Sequence, residues 1–153
     1  MKRKIRYGMI GGGRGAFIGG VHRIAAAMDG EIELVCGAFS SDAERSKQSG
    51  LDLFLSPDRC YGSYEEMMQK EKSLPSDLRM DFVSIVTPNH LHFLPVKMAL
   101  EHGFHVLSDK PATFNLAQAL ELQTIIDQTG MLYGLTHNYT GYPLVKEARD
   151  LIR

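Results

Sequence analysis

The segment Gly11-Gly12-Gly13-Arg14-Gly15-Ala16 constrains this 153-residue chain more than any other. It follows the run Ile5-Arg6-Tyr7-Gly8-Met9-Ile10, which reads as a buried strand. It precedes a stretch of helical character from about Gly15 to Met28, stopped by Gly30. A strand that turns through glycines into a helix is the setting a G-x-G-x-x-A pattern needs. In that setting Gly11 permits the tight turn and Gly13 lets the backbone approach a pyrophosphate. Ala16, small in place of a third glycine, allows close helix–strand packing. Free N–H groups at the helix start then face the phosphates, aided by the helix dipole. The bland alternative is a glycine-rich strand–helix turn that holds no ligand.

The remaining chain repeats the strand–helix alternation. Strands are expected at 32–38, 82–86, 104–107 and 131–135. Helices are expected after a cap at Ser41 or Asp42 up to Gly50, and from a Ser63/Glu66 capping box to about Lys72. Two more run from Leu91 to Glu101 and from Asn115, as cap, to Gln128, with Gly130 after it. Residues 51–59 are the least regular, and Pro57 forces a turn there. Alternation of this kind implies right-handed crossovers and an α/β class, with a doubly wound, mostly parallel sheet covered on both faces. The strands are apolar nearly throughout, as buried parallel strands are.

Composition excludes several classes. At 44% hydrophobic and 23% charged residues the chain is ordinary globular material. A net charge of −1 gives no broad footprint for nucleic acid or an acidic membrane. No apolar run approaches the ~20 residues of a membrane span, and no signal-peptide core follows Met1. The cluster Lys2-Arg3-Lys4 reads as the solvated start of a strand. Cys36 and Cys60 are too few for a disulfide framework and lack metal-ligand spacing, so a reducing cytoplasm fits best. From Pro143 onward, Leu144, Val145, Ala148, Leu151 and Ile152 share one helical face. This divides the chain into a ligand-binding part, 1–140, and the start of a linker helix, 141–153, as if cut within a longer protein. The alternative is a domain that ends on a surface helix. An apolar patch left there promotes association.

The ends of the expected strands carry the candidate site. A ribose-binding acid usually closes the second strand. Here Ser40 stands in that place, with Ser41 beside it, and Asp42 falls where it caps the next helix. This neutral, hydroxyl-rich turn, with Arg45 one helical turn on, suits a 2′-phosphate, so the cofactor reading is NADP or NAD with a lean to NADP. Arg45 as plain surface charge is the competing reading. Thr87-Pro88-Asn89-His90-Leu91-His92 follows strand 82–86 beside the crevice where open α/β sheets bind ligands. His90 and His92 lack the accompanying Cys or carboxylates of a metal site, and none is expected. Ser108-Asp109-Lys110-Pro111 ends the next strand on the same edge. A lysine there can orient a hydroxyl or carbonyl and tune proton transfer beside a nicotinamide, though a solvated turn lysine is the alternative. Asn138, after the last strand, can hold a ribose or amide group.

The segments 11–22, Thr-Pro-Asn-His-Leu-His at 87–92 and His-Val-Leu-Ser-Asp-Lys-Pro at 105–111 resemble the Gfo/Idh/MocA oxidoreductases in order and spacing. The resemblance implies an N-terminal Rossmann fold that binds NAD or NADP, followed in the family by a C-terminal domain absent from this chain. That second domain carries most of the substrate site and the oligomer interface, which makes the full-length protein a homo-oligomer. By position, Gly11, Gly13, Arg14, Gly15, Ala16, Phe17 and Ile18 would surround the pyrophosphate. Thr87, Pro88, Asn89 and His92 would line the nicotinamide-ribose side, and Asp109 stands where the family usually has Glu. Lys110 matches the family's catalytic lysine. The implied activity is hydride transfer to or from a sugar, polyol or related metabolite. The second acid/base group belongs to the absent domain, so the chain alone would bind cofactor with little turnover. A nucleotide-sensing module without redox turnover, or a relative of the nicotinamide-dependent glycosidases, is the alternative.

Overall fold

A computed structural model of the chain describes residues 3–153. Lys2 of the basic cluster lies outside the described residues. Arg3 pairs in bidentate fashion with Asp81, both contacts at 2.7 Å. The elements run β1 (Ile5–Gly11), α1 (Phe17–Ala27), β2 (Ile32–Ala38), α2 (Ala43–Asp52), α3 (Tyr64–Ser73), β3 (Phe82–Val86), α4 (Phe93–Glu101), β4 (His105–Asp109), α5 (Leu116–Thr129), β5 (Tyr133–Thr136) and α6 (Pro143–Ile152). The five strands are all parallel, in the order β2-β1-β3-β4-β5. This is a Rossmann-type doubly wound sheet, and the strand order reverses between β1 and β3. Because every strand is parallel, all their carboxyl ends meet on one edge.

Caps explain where several helices start. Asp42 accepts the Arg45 amide hydrogen at 2.7 Å, Ser63 that of Glu66 at 3.2 Å and Asn115 that of Gln118 at 3.0 Å. Gly130, at φ 64°, closes α5 in the left-handed conformation. Other boundaries differ from the sequence expectation. Gly50 does not end α2, which continues to Asp52. An added Cβ on Gly50 would sit 2.4 Å from the Cys60 sulfur, so the glycine is there for packing. Helix α1 begins at Phe17 rather than Gly15. Helix α4 begins at Phe93, because a single 3-10 turn occupies Asn89–Leu91.

Two cores flank the sheet. The larger buries Ile10, Val83, Ile85 and Val106 under α3, α4 and α5. The smaller gathers Tyr7, Met9, Phe39 and Val86 under α1 and α2. Burial pushes the Tyr7 hydroxyl up to about 12. One charge is fully buried and fully paired. The Glu71 carboxylate accepts from Arg59 at 2.7 and 2.8 Å, from the Tyr61 hydroxyl at 2.7 Å and from the Met80 amide at 3.0 Å. It ties the irregular stretch after α2 to α3 and to the approach to β3. That stretch touches the sheet through a lone parallel bridge, Gly37 to Cys60. No helix of the described residues is long and apolar enough to cross a membrane. Among the described residues helix α6 packs chiefly on the turn before it, and Leu144, Val145, Leu151 and Ile152 are exposed.

Helix α1 sits close to β1 through glycine, and the residue responsible is not Ala16. Ala16 is exposed at the helix start, whereas a Cβ on Gly19 would lie 2.4 Å from the Gly12 Cα. Neighbouring Gly20 would meet nothing nearer than Arg23 at 3.9 Å. Gly19→Ala is therefore expected to lose about 1–3 kcal/mol of unfolding free energy by forcing backbone apart. Gly20→Ala should gain a few tenths, up to about 1 kcal/mol, from helix propensity. Urea denaturation of the two variants checks this, and equal losses would refute the packing argument.

Candidate functional site

The glycine loop is built from below. The Gly13 amide donates to the Phe39 carbonyl at 3.3 Å, and the Arg14 amide donates to the Ser49 hydroxyl at 3.1 Å. Ser49 in turn donates to the Arg45 carbonyl at 2.8 Å, and Arg23 reaches up to the Gly12 carbonyl at 2.9 Å. An added Cβ on Gly13 would strike Ser49 and Phe39 at 2.7 and 2.9 Å. Gly13 thus lets the loop approach β2 and α2, a role the motif alone did not reveal. Gly11, Gly12 and Gly15 adopt φ of 82°, 73° and 79°, the left-handed region that favours glycine. Above this base the start of α1 is bare. No side chain caps it, no acid lies in its first turn, and the Gly15 and Phe17 amides have no acceptor among the described residues. A Cβ on Gly15 would meet only the Arg45 guanidinium, at 3.3 Å.

Neighbouring charges are already partly committed. Arg14 binds Asp52 in bidentate fashion at 2.5 and 2.7 Å, turned toward the end of α2. That hydrogen bonding holds Arg14 above, and Asp52 below, their ordinary values. Arg45 donates to the Arg14 carbonyl at 2.6 Å and lies against the loop. A cavity of about 250 Å³ is lined by the loop, Arg23, Ser49, Asp52 and Leu53. Ser49, Asp52 and Arg23 were not anticipated. Ser49 and Gly50 are small residues within a short helix, and nothing local in the sequence marks them as facing other segments. Ser40 accepts the Asp42 amide hydrogen at 3.2 Å, and Ser41 is exposed. Phe17 is exposed beside the loop, but the Ile18 side chain turns into the smaller core, which leaves only its backbone toward the edge.

On the other side of the strand reversal, Gly11 pairs with Val86. Thr87, Pro88 and Asn89 therefore rise next to the glycine loop. The Thr87 hydroxyl is buried without a partner among the described residues, while Pro88 and Asn89 are exposed. One strand further, Asp109 accepts from the Thr136 hydroxyl at 2.8 Å, and Lys110 is exposed with no ion pair among the described residues. At ~4.8 Å per strand, β4 stands roughly 10 Å from β1. Asn138 is exposed in the turn after β5, at the far edge of the sheet.

His92 corrects the expectation that it lines a ligand. It is fully buried, and both ring nitrogens face backbone carbonyls, Nδ1 that of Pro111 at 2.7 Å and Nε2 that of Thr87 at 2.8 Å. Its polar atoms are spent inside the protein. His22 of α1 is a second histidine outside the expected set. Its Nδ1 lies 3.0 Å from the Ser84 hydroxyl. No cluster of three His, Cys, Asp or Glu side chains forms among the described residues.

Comparison with known proteins decides the family. The oxidoreductase family with an NAD-binding Rossmann fold, Gfo/Idh/MocA, matches residues 5–137. The chain belongs to the Gfo/Idh/MocA family. An uncharacterized oxidoreductase, YfiI, from Bacillus subtilis is 35% identical over 99% of this chain and 38% of its own length. The crystal structure of an oxidoreductase from Sinorhizobium meliloti is 48% identical, with a TM-score of 0.88, over 99% of this chain and 41% of that one. An inositol dehydrogenase homolog from Azotobacter vinelandii, complexed with NADH and myo-inositol, is 39% identical with a TM-score of 0.90, over 99% and 40%. The chain thus spans about two fifths of the length of these relatives. It is an NAD-binding oxidoreductase domain of the Gfo/Idh/MocA type.

Burial lowers the His22 pKa below 6.5, and the Asp109 charge raises it in part. The unfolded chain therefore binds more protons than the folded one just below pH 6.5, and stability falls as pH drops through that window. His22→Gln should flatten this decline. Urea midpoints measured at about pH 7.5 and about pH 5.5 check it. Carboxylates with lowered values, such as Asp81, act only near and below the ordinary carboxylate value of 3.8, well under this window. An equal decline in the variant would remove His22 from the account.

Proposed function

We propose that the chain holds a nicotinamide dinucleotide across the carboxyl edge of its sheet, within an oxidoreductase that moves a hydride to or from a sugar, polyol or related metabolite. The observation that carries the reading is the bare start of α1 on a braced glycine loop at the strand reversal. Amides without acceptors there, with space at Gly15, suit a pyrophosphate. The unpartnered Thr87 hydroxyl on the other wall suits a polar group of the nicotinamide riboside. The residues present fit the group. When bound, the dinucleotide supplies the ring that gives or takes the hydride.

The chain's own residues do the rest. The Gly15, Phe17 and Ile18 amides receive the phosphates, with Ala16 in the same turn and its amide held by the Gly13 carbonyl, and Asn89 offers an exposed amide beside Thr87. Lys110, with Asp109 held by Thr136, reaches a substrate oxygen, orients it and eases proton transfer at that atom. Residues 1–140 form the binding part, and 141–153 begin the link to the substrate-bearing part of a homo-oligomeric cytoplasmic enzyme. The myo-inositol in the Azotobacter homolog supports a polyol substrate class. No carboxylate closes β2 beyond Ala38, and Arg45 lies against the loop, so NADPH is favoured over NADH by a small factor.

Fluorescence titration of the chain with NADPH and NADH tests this. Both should saturate, NADPH the more tightly. Gly15→Ala, placing a Cβ at φ 79° in the cradle, should weaken both about tenfold or more. Arg45→Ala should weaken NADPH several-fold and NADH little, by the ~1–3 kcal/mol typical of a charge-assisted hydrogen bond. No response to either cofactor at about 1 mM would overturn the reading.

A further inference from the structure

The β3–β4 ladder ends at the pair Ile85 and Ser108. Beyond it the two chains diverge into the loops that carry Thr87-Pro88-Asn89 and Lys110-Pro111, and no backbone hydrogen bond joins these loops among the described residues. One side chain does. The His92 ring, fully buried at the start of α4, stands between the Thr87 and Pro111 carbonyls at 2.8 and 2.7 Å. A carbonyl can only accept, so the ring donates to one of them through whichever nitrogen carries the hydrogen and packs its other edge against the second. The ring is short and planar, and its two contacts leave from opposite sides, so it fixes the distance between the loops as a rigid spacer.

We propose that His92 is a positioning residue, a cross-brace that sets the separation of the Thr87 and Lys110 loops and thereby the span between the nicotinamide wall and the lysine. A short planar ring with a nitrogen on each flank spans the two carbonyls at hydrogen-bond distance. A leucine fills the volume without donating, and a glutamine amide offers its hydrogens from a single nitrogen on a flexible stem, without the ring's fixed span. The consequence for ligand binding rests on the dinucleotide reading above, whereas the brace itself does not.

The experiment therefore has two arms. In the free chain, hydrogen exchange followed peptide by peptide should accelerate in His92→Leu at residues 87–91 and 110–114 together, while the melt stays cooperative. His92→Gln should loosen the two loops less than His92→Leu. In His92→Ala, added imidazole should restore slow exchange at both loops, and thiophene, an apolar ring of similar size, should not. In the binding arm NADH affinity should fall roughly tenfold in His92→Leu and return with imidazole in His92→Ala, the scale of one buried hydrogen bond lost from a preorganised site. Exchange unchanged, quickened at one loop alone, or rescued equally by thiophene would overturn the brace. Loosened loops with unchanged NADH affinity would overturn its role in the site. If the wild type binds neither dinucleotide, the functional reading falls, and the exchange arm still decides the brace.

Discussion

The structure depends on a contact between two backbones. Gly12 of the loop and Gly19 of α1 approach so closely that neither has room for a Cβ. That approach brings the first turn of α1 to the sheet edge and lets Ile18 reach the smaller core while Phe17 stays outside. The loop is held from within by the Ala16 amide on the Gly13 carbonyl, and from beneath or from the side through Phe39, Ser49, Arg23 and Arg45. Its upward-facing donors are left without protein partners, an arrangement costly unless water or a ligand answers them. A preorganised loop of this kind loses little entropy when an anion arrives.

The electrostatics of the helices point the same way. Helices α2 and α3 begin on Asp42 and Ser63 with acids in their first turns, so their positive ends are answered locally. Helix α1 has neither a capping side chain nor an acid. The nearest carboxylate lining the loop cavity, Asp52, is held by Arg14. The end of α1 thus keeps its partial positive charge toward the edge, where the strand reversal opens the crevice.

Much of this was legible in the sequence because it is locally encoded. Strands β2 and β3 fall on Ile32–Ala38 and Phe82–Val86 as read, since buried parallel strands are apolar nearly throughout. The caps at Ser63 and Asn115 were equally plain. What escaped has no local signature. Gly19, Gly50 and Ser49 matter because of what other segments bring against them, and a small residue within a helix looks the same whether it faces water or a backbone. The surroundings of His92 were not legible for the converse reason. Its place at the end of the Thr-Pro-Asn-His-Leu-His segment suggests ligand contact by resemblance, but only the folded chain sets both its nitrogens against carbonyls.

Among the described residues the flank beside β2 pairs with the sheet at a single bridge, Gly37 to Cys60, with Leu53 and Leu55 packed against the core. Between those anchors Phe54 stands fully in solvent at φ 60°. Chain added at that point would cost chiefly loop closure, ~0.6 kcal/mol for each doubling of length. No strand pairing would slip, because hardly any exists there to be displaced. The fold thus has a margin where growth is cheap, on the side of the sheet away from Lys110.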